Sequence, residues 1–258
     1  EQNADYSARL IARAQGLGIE RIVIYSLQED ASQEKLLDVE LYFDLTAGSS
    51  FTFQKQKPEE FPIPPTDTYA TKVVRARHQN TFYPYDMLKM ITRSNYQVKE
   101  IFPKGHFEEY AIQIDEKKHT QTIIQVKDRK PGENQSNMVF GIITNYPDSY
   151  PGGFRRVILL SDSTQNMGAL AEAECRRVIA AIDLAERENL SLEWLPISAG
   201  ARIDMKSGTE NLDWTARVLR RIIDFTQAGG EINIIVLGIN IGAQSYWNAE
   251  ATMLMHTR

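Results

Sequence analysis

Hydrophobic and polar positions follow two different patterns along the chain, and the change comes near residue 150. Before that point the apolar residues occur in short runs that often alternate with polar ones, as in strands with one face on a core and one in water. These runs predict half-exposed strands over residues 21–25, 39–45, 110–114, 120–126 and 138–144. We therefore expect a strand-rich, mainly β region over residues 1–150.

This first region also contains a predicted helix and two predicted loops. Three apolar residues share one helical face over residues 6–15 and are followed by glycines, which favours an opening helix there. A proline- and acid-rich stretch over residues 57–67 and a polar stretch over residues 129–137 are typical of loops.

After residue 150, β-branched runs alternate with long amphipathic stretches, which is the pattern of βαβ units with a parallel sheet. The apolar runs predict buried strands over residues 157–160, 192–197 and 232–237. The amphipathic stretches predict helices over residues 168–188 and 212–228, and a further helix that begins near Gly242. We therefore expect a layered α/β unit over residues 151–258.

Composition and charge narrow the class of protein. The 258 residues are 42% hydrophobic and 24% charged, as in soluble globular proteins, and the net charge of -5 gives no basic footprint for nucleic acid. No apolar stretch approaches the length of about 20 residues that crosses a bilayer, and the first residues lack the pattern of a signal peptide. We expect a cytoplasmic protein without nucleic-acid or membrane partners.

Cysteine and histidine usage argues against a metal site and a disulfide framework. Cys175 is the one cysteine of the sequence, and its helical spacing from Ile179 and Ile182 is typical of a small core residue. The four histidines are far apart and lack metal-ligand spacing. We expect no metal in this chain.

Two glycine-containing turns follow predicted buried strands. The first has the sequence PISAGARI over residues 196–203, and the second has GINIGAQ over residues 238–244. Glycine permits sharp turns that expose backbone N–H groups, and one βαβ crossover places both turns at the same edge of a parallel sheet, where ligands bind. Glycine-rich turns also end strands in α/β proteins without any such role, so the spacing alone leaves both interpretations open.

The string SAGARI at residues 198–203 is similar to the SGARI signature of carboxyltransferase domains in eukaryotic-type multidomain acetyl-CoA carboxylases. The string GINIGAQSYW, which begins at Gly238, matches where that family carries GIGAYLV. Weaker resemblance extends over residues 155–164 and 71–87. The family usually has Ser at the position of Ala199 and an aromatic residue at that of Gln244, so these departures affect pocket shape and acyl preference.

The resemblance implies the fold class and the reaction. The fold class is α/β, a crotonase-like ββα-superhelix unit after a mainly β N-terminal region, and we expect it to be incomplete at the C-terminal end. The implied function is the carboxyltransferase of a biotin-dependent acyl-CoA carboxylase, which transfers a carboxyl group from carboxybiotin to the α-carbon of an acyl-CoA through an enolate. Backbone N–H groups that point at the enolate oxygen stabilise the transition state selectively.

The resemblance also assigns residues. The catalytic backbone donors are expected from Gly200, Ala201, Gly242 and Ala243. The substrate-binding residues are expected to be Ser198, Ala199, Arg202, Gln244 and Tyr246. Two roles are open for Arg202, recognition of a carboxylate and a clamp on loop carbonyls. Tyr246 and Trp247 either line the acyl pocket or belong to the core. Asp162 and Asp204 can order these loops, but we expect them to be solvated or capping residues.

Cofactors and partners follow from the same resemblance. The cofactor is biotin on a carrier domain outside this segment, the substrate is a CoA thioester, and no metal is expected. Expected partners are the biotin carboxyl carrier and biotin carboxylase domains, a C-terminal carboxyltransferase half, and a second copy in a homodimer or higher oligomer. The isolated chain is expected to be inactive, because it carries one pair of donor turns.

Two other functions remain open at this stage. A crotonase-like acyl-CoA hydratase, isomerase or thioesterase would need an acid after the second turn, and Glu250, more than two helical turns from Gly242, is the one close behind it. A non-catalytic dimerisation or scaffolding fragment of a carboxylase is the other alternative.

Overall fold

The structure, a computed structural model, describes residues 21–30, 33–44, 50–55, 68–92, 102–115, 120–203 and 208–257. The chain divides into two compact units, Glu1–His78 and Gln79–Arg258. In the first unit, three strands form an antiparallel sheet in the order β1-β2-β3 and a helix follows. These elements are β1 (Arg21–Asp30), β2 (Gln33–Asp44), β3 (Ser50–Lys55) and α1 (Thr68–His78).

The second unit is built on a seven-stranded sheet with the order β10-β9-β8-β7-β6-β4-β5. Strands β7 to β10 are parallel neighbours, whereas β4, β5 and β6 pair antiparallel. The strands are β4 (Gly105–Asp115), β5 (Thr120–Gln125), β6 (Met138–Asn145), β7 (Phe154–Ser161), β8 (Leu192–Leu195), β9 (Ile232–Val236) and β10 (Met253–His256). The helices are α2 (Pro84–Thr92), α3 (Glu172–Glu188), α4 (Thr209–Gln227) and α5 (Ala243–Ala249).

The core of this unit lies between the central strands and the helices α3 and α4. All eight residues of β6 are buried, because neighbouring strands pair with both of its edges and α3 covers one face. Trp194 of β8 and Trp247 of α5 are fully buried and pack with ring centroids 5.6 Å apart. Burying a large aromatic side chain stabilises a fold by about 2–3 kcal/mol.

The helix α3 begins four residues after the predicted start at residue 168. Residues 166–168 form a short 3₁₀ turn, and Leu170 pairs with Ala201 as an isolated parallel bridge, so this segment extends the sheet instead of the helix. The helix then begins at Glu172, where the N–H of Ala171 donates to the Glu174 carboxylate at 3.2 Å. It ends at Asn189, which has the left-handed conformation common at helix ends.

Most predicted elements are confirmed, with bounds that differ by a few residues. The elements β3, β10, α1 and α2 were not predicted. The prediction that β6 is half exposed is wrong, because both of its faces are covered. The predicted helix over residues 6–15 and the loop over residues 57–67 lie outside the described residues.

The seven-stranded sheet combines strands from both of the regions that the sequence pattern distinguishes. The strands β4, β5 and β6 fall within residues 1–150 but belong to the same sheet as β7 to β10. The two compact units divide between His78 and Gln79. Among the helices that the structure describes, none is long and apolar enough to cross a membrane.

Candidate functional site

The two glycine turns lie side by side at the carboxyl ends of β8 and β9. We call residues 198–203 the first turn and residues 238–244 the second turn. The N–H of Ser198 donates to the carbonyl of Ile239 at 2.7 Å, and the N–H of Ile241 donates to the carbonyl of Ser198 at 3.1 Å. These bonds make an isolated parallel bridge between Ser198 and Asn240, so the predicted convergence of the turns is present in the fold.

The turns also approach each other closely at two glycines. Gly200 and Gly242 both have positive φ, 85° and 61°. A Cβ on Gly242 would lie 3.2 Å from the Gly200 Cα and 3.9 Å from the Ala201 nitrogen. A Cβ on Gly200 would lie 3.2 Å from the Ile241 carbonyl oxygen. Glycine is therefore required at both positions, for conformation and for space.

A segment that precedes α3 supports the first turn from its other side. We call residues 162–170 the backing loop. The N–H of Ala199 donates to the carbonyl of Met167 at 3.1 Å, the N–H of Arg202 donates to the carbonyl of Leu170 at 2.8 Å, and the N–H of Leu170 donates to the carbonyl of Gly200 at 2.8 Å. The first turn is thus held between the backing loop and the second turn.

These contacts determine which backbone N–H groups remain available. The N–H of Gly200 donates to the Ser198 hydroxyl at 3.1 Å. The N–H groups of Ala201, Gly242 and Ala243 have no hydrogen-bond acceptor among the described residues. Gly242 is exposed, and Ala201 and Ala243 are half-buried, so these donors lie where a ligand can reach them. Two donors were expected in the first turn, Gly200 and Ala201. Of these, the N–H of Ala201 is the one without an acceptor among the described residues.

Asp162, at the start of the backing loop, is a fully buried carboxylate. It accepts hydrogen bonds from the Asn134 amide at 2.8 Å, the Gln165 amide at 3.1 Å, and both the N–H and the hydroxyl of Thr164 at 3.0 and 2.5 Å. Burying a carboxylate is tolerated only with such partners. The expectation that Asp162 is solvated is therefore wrong: it is buried, caps the local turn by accepting the N–H of Thr164, and fixes the conformation of the backing loop.

The remaining expected residues are placed differently from one another. Arg202 is half-buried, and its carbonyl accepts a hydrogen bond from Asn211 at 2.8 Å. Gln244 is fully buried in the first turn of α5, whereas Tyr246 is 70% exposed on the same helix. Trp247 belongs to the core and Tyr246 does not. Asp204 lies outside the described residues.

The described residues give little support for acid–base catalysis by Glu250, for a metal site or for a reactive cysteine. Glu250, the acid that a hydratase or isomerase would use, is the C-cap of α5 and exposed, at the opposite end of that helix from Gly242. No cluster of three or more His, Cys, Asp or Glu side chains suited to a metal ion occurs in the described part of the chain. Burial, followed by the neighbouring Glu174, raises the pKa of the Cys175 thiol to about 12, which keeps it protonated and unreactive.

A cavity of about 320 Å³ lies at the opposite ends of these strands, where β8 and β9 begin. Its lining includes Glu186, Glu231 and the ring of Phe225. None of the predicted site residues lines it. We place the candidate site at the turns instead, because both turns have backbone donors without an acceptor among the described residues, and a catalytic oxyanion site needs such donors.

Several residues that shape this site were not singled out from the sequence. Asn240, Asn248, Met167 and Gly168 support the turns through hydrogen bonds or close packing. Asn240 lies within the second glycine string, which was the one available signal. Met167 acts through its carbonyl, which no side-chain pattern reveals.

Comparisons with known proteins give two informative relatives. No family model matches the sequence. The chain is 24% identical over 186 residues to the acetyl-CoA carboxylase of Schizosaccharomyces pombe, a match that covers 65% of this chain and 8% of that protein. It also matches the solved structure of the P. aeruginosa geranyl-CoA carboxylase beta subunit, with a TM-score of 0.51 and 16% identity, over 73% of this chain and 30% of that one.

These matches confirm the resemblance to the carboxyltransferase of acyl-CoA carboxylases and the crotonase-like α/β fold class. At 16% identity the structural match establishes the fold, and the curated match carries the relation to carboxylases. The chain spans less than a third of either relative.

Proposed function

We propose that this chain provides the acyl-CoA side of a carboxyltransferase site in a biotin-dependent acyl-CoA carboxylase. The observation that carries the proposal is the pair of adjoining turns with free N–H groups on Ala201, Gly242 and Ala243. The similarity to an acetyl-CoA carboxylase and to the fold of a carboxylase beta subunit supports it.

The proposed chemistry rests on an enolate. Removing the α-proton of a CoA thioester moves negative charge onto the carbonyl oxygen, and the N–H groups of Ala201 and of Gly242 or Ala243 donate to that oxygen. Because the charge is larger in the transition state than in the ground state, these donors lower the activation barrier, and losing one costs about 3 kcal/mol. Gly200 contributes its conformation, since its own N–H is held by Ser198.

Side chains around the turns are proposed to orient the substrate. Ser198 and Ala199 fix the first turn, Arg202 recognises a carboxylate at its end, and Gln244 shapes the site from beneath the second turn. Tyr246 lies exposed one helical turn into α5, where an acyl group can pack against its ring.

Biotin enters this proposal as a group held by other parts of the enzyme. When bound, carboxylated biotin would supply the carboxyl group for the α-carbon, and its ureido group would then be able to take up the α-proton. The free turn donors of the described residues fit one oxyanion, that of the thioester. We therefore propose that a second crotonase-like domain, in a dimer or higher oligomer, binds biotin, and that carrier and biotin carboxylase domains complete a cytoplasmic enzyme.

Acyl-CoA binding by the purified chain tests the proposal. Isothermal titration with acetyl-CoA is expected to give a binding isotherm that Gly242→Ala weakens by about tenfold or more, because the added methyl group lies against Gly200 and the Ala201 nitrogen. Gly229→Ala is the matched control: Gly229 has a positive φ of 92° but open space around its Cβ position. Equal binding by both variants would place the site elsewhere.

A carboxyl-exchange assay separates the proposal from a self-contained enzyme. The chain alone, with free biotin and malonyl-CoA, is expected to give no exchange, and exchange should appear when the partner half is supplied. Robust exchange by the chain alone would contradict the two-half arrangement. Acyl-CoA binding without exchange in any assembly would favour the non-catalytic alternative.

A further inference from the structure

The side chain of Asn240 contacts both turns at once. Its amide nitrogen lies 3.0 Å from the carbonyl oxygen of Pro196, just before the first turn, and 3.0 and 3.3 Å from the carbonyls of Ile239 and Gly238 in the second turn. A single NH₂ group thus bridges the backbone that leads into each turn. The main-chain pairing of Asn240 with Ser198 adds a second connection at the same point.

The orientation of this amide is set by the three carbonyls that its nitrogen faces and is supported from the helix α5. Because the Asn240 nitrogen faces carbonyl oxygens, its Oδ1 points the other way and accepts from the Asn248 amide at 3.2 Å. The Asn248 Oδ1 in turn accepts from the Gln244 amide at 2.9 Å. Asn248 and Gln244 are buried, so the direction of donation along this amide chain is set throughout its length.

The amide chain acts where small displacements matter. Gly200 and Gly242 approach so closely that a single Cβ would reach 3.2 Å, and the free N–H groups of Ala201, Gly242 and Ala243 flank this contact. Two donors stabilise one oxygen only if their separation is fixed, and a loss of about 1 Å in precision is costly in such sites. A group that ties the turns together therefore controls the geometry of the donors.

We propose that Asn240 is a positioning residue that sets the separation of the two turns, and that Asn248 and Gln244 orient it. This inference rests on the proposed function, because the donors matter only if they bind a developing oxyanion. Asn240 has no catalytic role of its own: its amide hydrogens are used by the three carbonyls and do not reach the substrate. The expected order of importance is Asn240, then Asn248, then Gln244.

Amide hydrogen exchange in the purified chain tests the tie between the turns. Asn240→Asp keeps the shape of the side chain but replaces the donor with oxygen, which repels the three carbonyls. It is expected to speed exchange of the Ser198 and Ile241 amide protons by about tenfold, the equivalent of one lost hydrogen bond. Asn233→Ala is the control, since Asn233 is a half-buried asparagine of β9 whose side chain makes no hydrogen bond among the described residues. Unchanged exchange in Asn240→Asp would overturn the inference.

The infrared carbonyl frequency of bound, ¹³C-labelled acetyl-CoA tests the effect on the donors. The wild-type chain is expected to lower this frequency, and Asn240→Asp to lose more than half of that shift at a temperature where it is fully folded. A purely structural role would lower the melting temperature and leave the shift intact. Rates of exchange and carbonyl shifts that match the wild type in Asn240→Asp refute the positioning role.

Asn248→Ala keeps the test valid if Asn240→Asp does not fold. This variant leaves the contacts of the Asn240 amide nitrogen with the three carbonyls in place but removes the hydrogen bonds of Asn248 with Asn240 and Gln244, so a smaller loss of the carbonyl shift is expected. A wild-type shift in Asn248→Ala would contradict the amide chain. If the wild-type chain binds acetyl-CoA without any shift, the proposed function fails, whereas the amide-exchange result still decides whether Asn240 ties the turns.

Discussion

The turns after β8 and β9 offer the same kind of backbone donor but are held by different groups. The first turn is supported by main-chain hydrogen bonds with Met167 and Leu170, which belong to a loop that a buried carboxylate fixes. The second turn is joined to the first by two main-chain hydrogen bonds and is held in addition by side-chain amides that begin at Asn240. The second turn therefore depends in part on the identity of a few side chains.

This difference teaches where each turn is sensitive. A main-chain support tolerates changes of side chain but not of backbone conformation or space, whereas an amide support is lost with one substitution. Substitutions at glycines behind the first turn should therefore act on stability, and substitutions in the second turn should act on ligand binding.

The largest expected effect is that of Gly168→Ala, which breaks the support of the first turn. Gly168 has a φ of 70°, and a Cβ there would clash with the carbonyl oxygen of Ile197. We expect the free energy of unfolding to fall by about 3 kcal/mol or more, of which strain at positive φ accounts for about 1–2 kcal/mol. Urea unfolding of the variant measures it, with Gly229→Ala as the control for strain without a clash. Equal losses of unfolding free energy in the two variants would show that the backing loop shifts easily to make room for the added methyl group.

A smaller effect is expected for Arg202→Lys, which tests whether the side chain at the end of the first turn recognises the substrate. The main chain of Arg202 is held by Leu170 and Asn211 through hydrogen bonds that the substitution leaves in place. Lysine keeps the charge but loses the fork geometry, and we expect carboxyl exchange in the assembled enzyme to slow about tenfold, or about 1.4 kcal/mol. The melting temperature should stay the same. A wild-type exchange rate would exclude Arg202 from substrate recognition.

The smallest effect is a pH dependence that reports on the region behind the first turn. Cys175 lies in the first turns of α3, and burial raises the pKa of its thiol from 9.0 to about 12. Between those values the unfolded chain loses this proton and the folded chain keeps it, so stability from this group is complete below pH 9 and falls as the pH rises. The stability difference between wild type and Cys175→Ala should therefore shift against the wild type by up to about 1.4 kcal/mol per pH unit. Parallel curves between pH 8.5 and 10.5 would mean that the thiol is already solvated in the folded chain.

The sequence predicts the features of this arrangement that follow from local residue patterns or from the topology of the sheet. The strands β7 to β9 and the helices α3 and α4 follow from local periodicity, because their apolar residues face a core that neighbouring elements supply. The convergence of the two glycine turns follows from parallel topology. The contact of Asp162 with Asn134 and that of Asn240 with Pro196 could not be predicted, since each joins residues far apart in sequence.

The elements that sequence analysis missed have local causes. The strand β10 consists of Met253, Leu254, Met255 and His256, all exposed, and it pairs with β9 along one edge only. A short exposed run without alternation gives no strand signal. The displaced start of α3 arises because Leu170 forms a bridge with Ala201, a contact that overrides helical propensity and is invisible in the local sequence.

The bridges of Leu170 with Ala201 and of Ser198 with Asn240 have a consequence for how the site can be tuned. They join three chain segments, the backing loop, the first turn and the second turn, through main-chain hydrogen bonds. Displacing the backing loop should therefore also move the first turn. Variation at Asp162 or Met167, remote from any bound thioester, then becomes a route to adjust reactivity without touching the binding surface. Substitutions in the backing loop therefore offer a way to alter the geometry of the site without changing the residues that line it.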